Sequence, residues 1–217
     1  MPTVMIIGAS RGIGLELARQ YAEAGWRVHA TTRAPDQPGA LGQLAGELVL
    51  HELEVCNPAH IRALAGSVAQ EGLDVLIHNA GVSDRRLKPD EVMRINAEAP
   101  IQVTQALLDA VKRGAEKKMV LMTSQLGARH GSTRRLGVYG ESKAKLNDAF
   151  RDLAGQWGRE GLTAIVMHPG WVRTDMGGKS APVSVENSVT GMRQVIEGLT
   201  PAHHGRFWTW DGREHAW

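Results

Sequence analysis

Short apolar runs alternate with longer helical patterns along the chain, and this alternation restricts the fold more than any other feature of the sequence. The runs that are typical of strands cover residues 4–7, 28–32, 48–53, 75–78, 119–122, 164–167 and 207–210. The segments with helical spacing of apolar residues cover 13–24, 61–69, 101–111, 139–157 and 185–199. Because parallel strands need long crossovers, this order predicts a parallel sheet.

The predicted architecture is an α/β fold with a seven-stranded parallel sheet. Crossovers between parallel strands are right-handed, so successive helices cover both faces of the sheet and form a doubly wound arrangement. The 217 residues fit a single domain, and a chain of this length can bury a substantial core. We therefore expect one domain over residues 1–217.

Composition and charge exclude several classes of partner. The net charge of +2 is too small to indicate a nucleic acid or a membrane surface as partner. No apolar stretch approaches the roughly 18 residues of a membrane span, and no basic segment of a signal peptide precedes the apolar run at residues 4–7. Cys56 is the only cysteine, which excludes an internal disulfide. We expect a cytoplasmic protein.

A glycine-rich turn follows the first strand and opens the first helix. It reads Gly8-Ala9-Ser10-Arg11-Gly12-Ile13-Gly14. Glycines allow the backbone to turn sharply and to approach a ligand closely, and the free N–H groups at a helix N-terminus favour a pyrophosphate. The turn therefore predicts a dinucleotide site, although a tight turn between a strand and a helix would need similar residues.

The end of the second strand indicates which dinucleotide is bound. An NAD site usually has an acidic residue there, whereas this chain has Thr31 and Thr32 followed by Arg33. Arg33 and Arg11 could both contact a 2′-phosphate through charge-assisted hydrogen bonds. We expect NADP as the cofactor, with NAD less favoured; the alternative is that both arginines are solvated, and Asp36 is the residue that could reverse the preference.

Tyr139 and Lys143 are spaced four residues apart, which places both side chains on one face of a helix. A tyrosine has a reference pKa of about 10, and a nearby ammonium favours the phenolate and lowers that pKa. The pair is common by chance in any sequence. Here Ser124 follows the fifth strand at its carboxyl end, where ligands bind in such sheets, and its hydroxyl could hold a substrate oxygen.

The full set of motifs resembles the short-chain dehydrogenase/reductase family, whose fold is a Rossmann-type domain. Asn96 stands at the predicted start of the helix between the fourth and fifth strands. The matching pieces occur in family order: Gly8, Gly12-Ile13-Gly14, Glu54-Val55, His78-Asn79-Ala80-Gly81, Asn96, Ser124, Tyr139, Lys143 and Pro169-Gly170-Trp171-Val172-Arg173-Thr174. As a set they are highly specific, and they span most of the chain.

The resemblance implies a role for each matched residue. Tyr139 would be the general acid or base, Lys143 would hold the nicotinamide ribose, Ser124 would polarise the substrate oxygen, and Asn96 would anchor a relay water. The cofactor-binding residues implied are Gly8, Ser10, Arg11, Gly12, Ile13, Gly14, Arg33, Glu54, Val55, Asn79, Ala80, Gly81, Tyr139, Lys143, Pro169, Gly170, Val172 and Thr174. Glu54 replaces the usual Asp of the family, and His78 stands where Asn is frequent, so we expect it to pack at a strand end.

The function predicted is an NADP-dependent oxidoreductase of the carbonyl reductase or alcohol dehydrogenase type, acting on a small molecule. The segment 175–183 is short, so the substrate lid should be small, and this form resembles the C-factor and sniffer-like branch of the family. Because that branch includes members discussed as signalling proteins, an NADP-binding regulatory protein with little turnover stays open. We expect no metal site, because His203 and His204 are adjacent and no H-E-x-x-H motif occurs.

We also expect a homodimer or homotetramer. The family commonly pairs the helices that correspond to residues 101–111 and 139–157 across a two-fold axis. Trp217 at the terminus is hard to bury within one subunit. Trp208 and Trp210 share one face of the last strand, which the helix at 185–199 could cover. The segment 126–137 carries Arg129, His130, Arg134 and Arg135 with no acid, and would steer anionic substrates if it faced the pocket.

Overall fold

A computed structural model describes residues 1–83, 87–129 and 137–217, and its central element is a seven-stranded sheet. The strands are β1 (Thr3–Ile7), β2 (Arg27–Thr32), β3 (Leu48–Glu52), β4 (Val75–His78), β5 (Lys118–Met122), β6 (Thr163–His168) and β7 (Phe207–Thr209). Their order is β3-β2-β1-β4-β5-β6-β7, and every neighbouring pair is parallel. The predicted parallel seven-stranded sheet is confirmed.

Helices cover both faces of this sheet. They are α1 (Gly12–Glu23), α2 (Pro58–Ser67), α3 (Pro89–Met93), α4 (Ala99–Arg113), α5 (Val138–Arg159) and α6 (Val185–Glu197). Side chains of α1 and α6 share one apolar core with the sheet, and those of α2, α4 and α5 share the other. A short 3-10 turn at Gly39–Gln43 follows the proline-containing loop after β2. None of the described helices is long and apolar enough to cross a membrane.

The alternation of side chains along a strand explains why β1 is apolar from Val4 to Ile7. In β1, Val4 and Ile6 pack towards α1 and α6, whereas Met5 and Ile7 pack towards the other layer of helices. All four side chains have no exposed surface. A parallel sheet that is buried on both faces needs such a continuous apolar run. The strand order reverses between β1 and β4, which places a ligand crevice at the carboxyl ends of these strands.

The helix before β5 begins earlier than the sequence pattern predicts. It starts at α3, passes through a π turn at Arg94–Glu98 and continues as α4. The Lys88 backbone N–H donates to the Glu91 carboxylate at 3.0 Å, which caps the first turn. The prediction that Asn96 begins this helix was therefore wrong. Asn96 lies inside the π turn, after the helix has already begun. Such turns occur frequently at functional sites.

The C-terminal segment packs on its own subunit. The Trp217 ring lies 6.1 Å from the Phe150 ring and 5.7 Å from the Phe207 ring, measured between centroids, and the Arg151 guanidinium lies 5.2 Å from its centroid. Trp217 was expected to be hard to bury within one subunit; it is half-buried, because β7 brings the terminus back over α5. On the other face, Trp208 and Trp210 pack with the core that contains α6.

Candidate active site

The glycine-rich turn joins β1 to α1 through backbone that side chains would obstruct. Gly8 and Gly12 have φ angles of 84° and 56°, in the left-handed region. A Cβ atom at Gly14 would lie 2.0 Å from the Gly8 carbonyl oxygen, and one at Gly8 would lie 2.8 Å from Ala80. The Asn79 side chain donates to the Gly8 carbonyl at 2.9 Å. The turn is therefore held from β4 as well as from β1.

The N-terminus of α1 has free backbone donors. Arg11 is its N-cap residue, has extended backbone and makes no side-chain cap. The first N–H groups of a helix have no intrahelical acceptor, and an anion placed there satisfies them. Together with the close approach at Gly14, this arrangement fits the pyrophosphate of a dinucleotide. Ser10 and Ile13 lie in the same turn, and Ile13 also lines the neighbouring cleft.

At the end of β2, Thr31 holds the glycine turn through hydrogen bonds. Its hydroxyl accepts a hydrogen bond from the Gly8 backbone N–H at 2.8 Å, and its carbonyl accepts one from Ala9 at 2.9 Å. Thr31 is 1% exposed. The residue therefore supports the glycine turn and does not face a ribose. Arg33 follows on the surface, beyond the buried Thr32.

The two arginines predicted to bind phosphate are both exposed and lie beside carboxylates. Arg11 donates to Asp175 at 3.2 Å, and Arg33 lies 3.8 Å from the Glu54 carboxylate. The side chains of Arg11 and Arg33 are 77% and 78% exposed. Surface ion pairs of this kind contribute about 0–1 kcal/mol, so either guanidinium can turn to a phosphate at small cost. Val55, next to Glu54, is buried.

Ser124 and Tyr139 line one cleft of about 590 Å³ at the carboxyl ends of β5 and β6. We refer to it as the substrate cleft; its walls also include Ile13, Leu126, Pro169, Gly170, Trp171, Val172, Thr174 and Met176. Ser124 is 6% exposed, and its hydroxyl accepts a hydrogen bond from the Leu126 backbone N–H at 3.1 Å. The cleft therefore brings Ser124 and Tyr139 together with the Pro169-Gly170 segment, which is distant in sequence, whereas Lys143 and Asn96 do not line it.

Lys143 lies below Tyr139 in the interior. Its side-chain nitrogen is 6.0 Å from the centre of the Tyr139 ring and donates to the Met122 carbonyl at 2.9 Å. Lys143 is 4% exposed. Burial lowers its pKa to about 8, because the charged ammonium loses hydration.

Asn96 fastens the π turn to two other segments. Its side-chain amide donates to the Val82 carbonyl at 2.9 Å and to the Ser142 hydroxyl at 3.0 Å, and its oxygen accepts from the Val82 N–H at 2.9 Å. A Cβ atom at Gly81 would lie 3.2 Å from the Asn96 oxygen and 3.5 Å from the Lys143 nitrogen. Asn96, Gly81 and Lys143 are thus assembled in one place.

Two buried histidines stand at strand ends near this site. His78 is 1% exposed, its Nε2 has no hydrogen-bond partner among the described residues, and burial together with Lys143 lowers its pKa to about 3. His168 is 8% exposed and lines the substrate cleft, and burial lowers its pKa to about 4. Sequence reasoning did not single out His168. Its position at the end of the sixth predicted strand, directly before Pro169, was the available signal.

The segment that follows Thr174 is short, and hydrogen bonds between residues 171 and 177 hold it in a compact turn. The Trp171 indole N–H donates to the Gly177 carbonyl at 2.8 Å, and the Gly177 N–H donates to the Thr174 hydroxyl at 3.1 Å. Leu126, Trp171 and Met176 are 38%, 53% and 40% exposed, although all three are large apolar residues lining the cleft. The mouth of the cleft is therefore apolar and open.

The sequence predicts that segment 126–137 would steer anionic substrates if it faced the pocket. Leu126 and Gly137, at the two ends of this segment, line the substrate cleft. Arg129 is paired with Asp148 at 2.5 Å and so does not present an isolated positive charge. His130, Arg134 and Arg135 lie outside the described residues. Within the described ranges, no group of three or more His, Cys, Asp or Glu residues could hold a metal ion.

Comparisons with known proteins agree with this geometry. The family model for short chain dehydrogenase matches residues 2–183. The C-signal protein of Myxococcus xanthus is 39% identical over 166 residues, covering 72% of this chain and all of that protein. The NADPH-bound carbonyl reductase from chicken fatty liver is 32% identical with a TM-score of 0.88, covering 100% of this chain and 99% of that chain. The carbonyl reductase Sniffer of D. melanogaster is 27% identical with a TM-score of 0.90, and both chains are fully covered.

Proposed function

Because the chain belongs to the short chain dehydrogenase family of oxidoreductases, which act on carbonyl or hydroxyl groups, we propose that it is an NADP-dependent carbonyl reductase using Ser124, Tyr139 and Lys143. The observation that supports this most directly is the shared cleft. Ser124 and Tyr139 line it together, and Lys143 lies buried below Tyr139. The reverse reaction, oxidation of an alcohol, uses the same groups.

The residues that would hold NADP surround the crevice between β1 and β4. Gly8, Gly12 and Gly14 leave room for the pyrophosphate at the N-terminus of α1, and Asn79 holds that turn. The remaining cofactor contacts proposed are Ser10, Arg11, Ile13, Arg33, Glu54, Val55, Ala80, Gly81, Pro169, Gly170, Val172 and Thr174. NADPH, when bound, supplies the hydride.

Tyr139 and Ser124 interact with the substrate oxygen. As negative charge develops on this oxygen during reduction, both hydroxyls donate hydrogen bonds to it, and Tyr139 gives up its proton. Charged Lys143 stabilises the resulting phenolate and so lowers the pKa of Tyr139. In this proposal Lys143 also donates a hydrogen bond to the nicotinamide ribose. This bond replaces the one that Lys143 donates to the Met122 carbonyl.

We propose that the turn containing Asn96 binds a water that relays protons between Lys143 and solvent. The Asn96 side chain is occupied by Val82 and Ser142, so a relay water would contact its backbone. The π turn around Asn96 interrupts the regular hydrogen bonding of the helix, and in this proposal a backbone carbonyl of the turn accepts from such a water.

Arg11 and Arg33 support NADP over NAD. Both guanidinium groups are exposed beside the cofactor crevice, and Thr31 leaves no carboxylate for the ribose hydroxyls. Asp36 is exposed on the loop that follows β2 and is the residue that could reverse this preference towards NAD. The chicken carbonyl reductase with NADPH bound supports the same choice.

A regulatory role is the second candidate, favoured by the similarity to C-signal. In this case the chain binds NADP and turns over slowly. An NADPH-oxidation screen over aldehydes, ketones, quinones and diketones separates the two functions, with calorimetric NADPH binding measured in parallel. Turnover that Tyr139→Phe abolishes supports the enzyme. Tight binding without turnover across the panel supports the regulatory role.

We further propose that the protein works in the cytoplasm as a homodimer or homotetramer, without nucleic acid or membrane. Leu108 on α4 and Leu153 on α5 are only partly buried in the single chain. A symmetric pairing of these two helices would cover both residues. It would also brace the helix that carries Tyr139 and Lys143.

A further inference from the structure

Four polar side chains form a row of close contacts at the β3 edge of the sheet. The His29 Nδ1 atom lies 2.9 Å from the His51 Nε2 atom, and the His51 Nδ1 atom lies 3.3 Å from the Ser67 hydroxyl oxygen. At the other end, the His29 Nε2 atom lies 3.0 Å from a Glu71 carboxylate oxygen. We refer to these four residues as the Ser67 cluster. None of the four lines the substrate cleft, so the cluster is separate from the site described above.

The fold assembles the Ser67 cluster from three neighbouring segments. His29 lies on β2 and His51 on the edge strand β3, whereas Ser67 is the last residue of α2 and Glu71 follows that helix. His29 is 1% exposed, but Ser67 is exposed and its contact with His51 lies at the surface. The row therefore runs from the interior to a hydroxyl that solvent reaches.

The two imidazoles meet edge to edge. Their ring centres are 5.1 Å apart and their planes are inclined by 14°. Because the two facing nitrogens are 2.9 Å apart, both atoms lie close to the line that joins the ring centres, as an N–H···N hydrogen bond in the ring planes requires. Burial lowers the pKa of both histidines, that of His29 to about 4, so both rings are neutral at neutral pH.

Glu71 decides which nitrogens carry the protons. An ionised carboxylate only accepts hydrogen bonds, so the proton of neutral His29 is favoured on Nε2, beside Glu71. The His29 Nδ1 atom then accepts from the His51 Nε2–H, and the lone pair of His51 Nδ1 is left on the side of the Ser67 hydroxyl. The Arg27 guanidinium lies 3.4 Å from the same Glu71 oxygen and can only donate, so it does not reverse this order.

The Ser67 hydroxyl is placed to give its proton to His51. It now donates to the Leu64 carbonyl at 2.8 Å. A hydroxyl hydrogen rotates while its oxygen stays in place, so the same group can turn to the His51 Nδ1 lone pair. A hydroxyl beside a base that a third group orients is the arrangement of an activated nucleophile. Here the third group is His29, with Glu71 behind it.

The position of Ser67 restricts the reaction to activated acyl donors. Ser67 ends α2, and the C-terminus of a helix carries partial negative charge from its free carbonyl groups. Such an end does not stabilise an oxyanion, which is usually the largest contribution to acyl transfer. Esters with poor leaving groups should therefore not react, whereas aryl esters and thioesters carry a leaving group good enough to compensate. The same polarity should make hydrolysis of the acylated serine slow.

We propose that Ser67 is an acyl-acceptor site that takes an acyl group from an activated ester or thioester. The Ser67 oxygen attacks the acyl carbon, and its proton passes to the His51 Nδ1 atom. The bond between the acyl carbon and the leaving group breaks, and the leaving group departs with the electron pair and takes the proton from His51. The product is an O-acyl serine. The reaction is independent of carbonyl reduction.

The probe is para-nitrophenyl acetate, applied to the whole protein, with the acetylated positions located and timed by mass spectrometry of peptides. Ser67 should become acetylated about 10²-fold faster than Ser180, which is the internal reference because it is also exposed and has no hydrogen bond to a histidine in the described part of the chain. Ser67→Ala should abolish the fast label and leave NADPH-dependent reduction unchanged, since Ser67 does not line the substrate cleft.

Two variants test the relay behind Ser67. His51→Gln removes the base. Glu71→Gln keeps the size of the side chain, but its amide can donate to His29 and so place a proton on the His51 nitrogen that faces Ser67. Each change should slow acetylation of Ser67 about tenfold or more and leave Ser180 unchanged. His60→Gln is the matched control, because His60 is half-buried nearby and accepts from the Glu54 N–H outside the cluster.

Each outcome supports or overturns the site. Fast acetylation of Ser67 that both relay variants slow supports it. Acetylation of Ser67 no faster than that of Ser180 overturns it, and so does fast acetylation that survives both relay variants, because the hydroxyl would then react without the cluster. If His51→Gln does not fold, the conservative Glu71→Gln change still decides the question. Loss of carbonyl reduction in Ser67→Ala would overturn the independence of the two sites.

Discussion

The side-chain nitrogen of Lys143 lies 6.0 Å from the centre of the Tyr139 ring and donates to the Met122 carbonyl oxygen at 2.9 Å. The helix α5 therefore presents an acid and a cation to the end of β5, where Ser124 follows. Lys143 is held by a backbone acceptor in a buried place, and burial lowers its pKa to about 8. Its charge is thus sensitive to pH in a range that can be measured.

Replacement of Tyr139 by Phe should abolish carbonyl reduction and leave NADPH binding intact. The change deletes the acidic hydroxyl and keeps the ring, and loss of a general acid typically costs 10²–10⁴-fold in rate. Steady-state kinetics and calorimetric titration measure the two effects. Tyr21→Phe is the matched control, because the only other tyrosine of the chain lies on α1 and is buried. A Tyr139→Phe enzyme that keeps most of its turnover would refute the assignment.

Replacement of Arg33 by Ala should weaken NADPH binding and leave NADH binding unchanged. A charge-assisted hydrogen bond contributes about 1.5–3 kcal/mol, which corresponds to roughly 10–100-fold in affinity. Arg206→Ala serves as the control, because this exposed arginine pairs with Glu214 far along the chain. Equal affinity of the unmodified protein for the two cofactors would contradict the preference for NADP.

Carbonyl reduction at saturating NADPH should decline as the pH rises through about 8, where Lys143 loses its proton. The neutral amine no longer stabilises the Tyr139 phenolate that forms in the reaction. Profiles of kcat against pH test this. In a Lys143→Arg variant the charge persists, so any residual activity should not decline there. A wild-type profile that stays level to about pH 10, the reference pKa of tyrosine, would be incompatible with this role.

Acid should destabilise the fold through His78 and His168. Burial lowers their pKa values to about 3 and about 4, whereas an unfolded histidine titrates near 6.5. Between these values the unfolded chain binds more protons, so their stabilising effect is complete above about pH 6.5 and is lost as the pH falls towards 4. At pH of about 5 the loss should reach about 2 kcal/mol for each histidine.

Urea unfolding at neutral and at mildly acidic pH measures this dependence. His78→Asn removes one buried imidazole and should reduce the difference between the two conditions. His203→Gln is the control, since this histidine is less buried. If the free energy of unfolding were the same at both pH values, the two buried imidazoles would not contribute as proposed.

The protein should form a dimer or tetramer at micromolar concentration. Light scattering behind size-exclusion chromatography should give a multiple of the 23.5 kDa chain mass. Leu153→Glu places a charge at a half-buried position of α5 and should shift the particle to the monomer, whereas Lys117→Glu, before β5, should not. A monomer mass for the unmodified protein would show the assembly prediction to be wrong.

The sequence by itself determined the seven strands, their parallel pairing and the glycine turn. These features depend on local patterns, namely the spacing of apolar residues and the need for glycine where the backbone turns. The spacing of Tyr139 and Lys143 placed both on one helix face, and the order of the motifs identified the family. The spacing of apolar residues placed the start of one helix too late. Several residues around Arg94 are charged and obscure the apolar spacing there, so the pattern did not predict that the helix containing Asn96 begins at Pro89.

Only the tertiary structure decided which distant residues meet. Asn96 bonds Ser142 across 46 positions in the chain, and Arg11 meets Asp175 across 164. A cavity of about 400 Å³ beside the substrate cleft is lined by residues as distant in the chain as Gln125 and Thr209, because β7 returns beside β6. The same return partly covers Trp217, which the sequence predicted to be hard to bury within one subunit. Contacts of this kind depend on how complete layers pack, and no local pattern of residues records that packing.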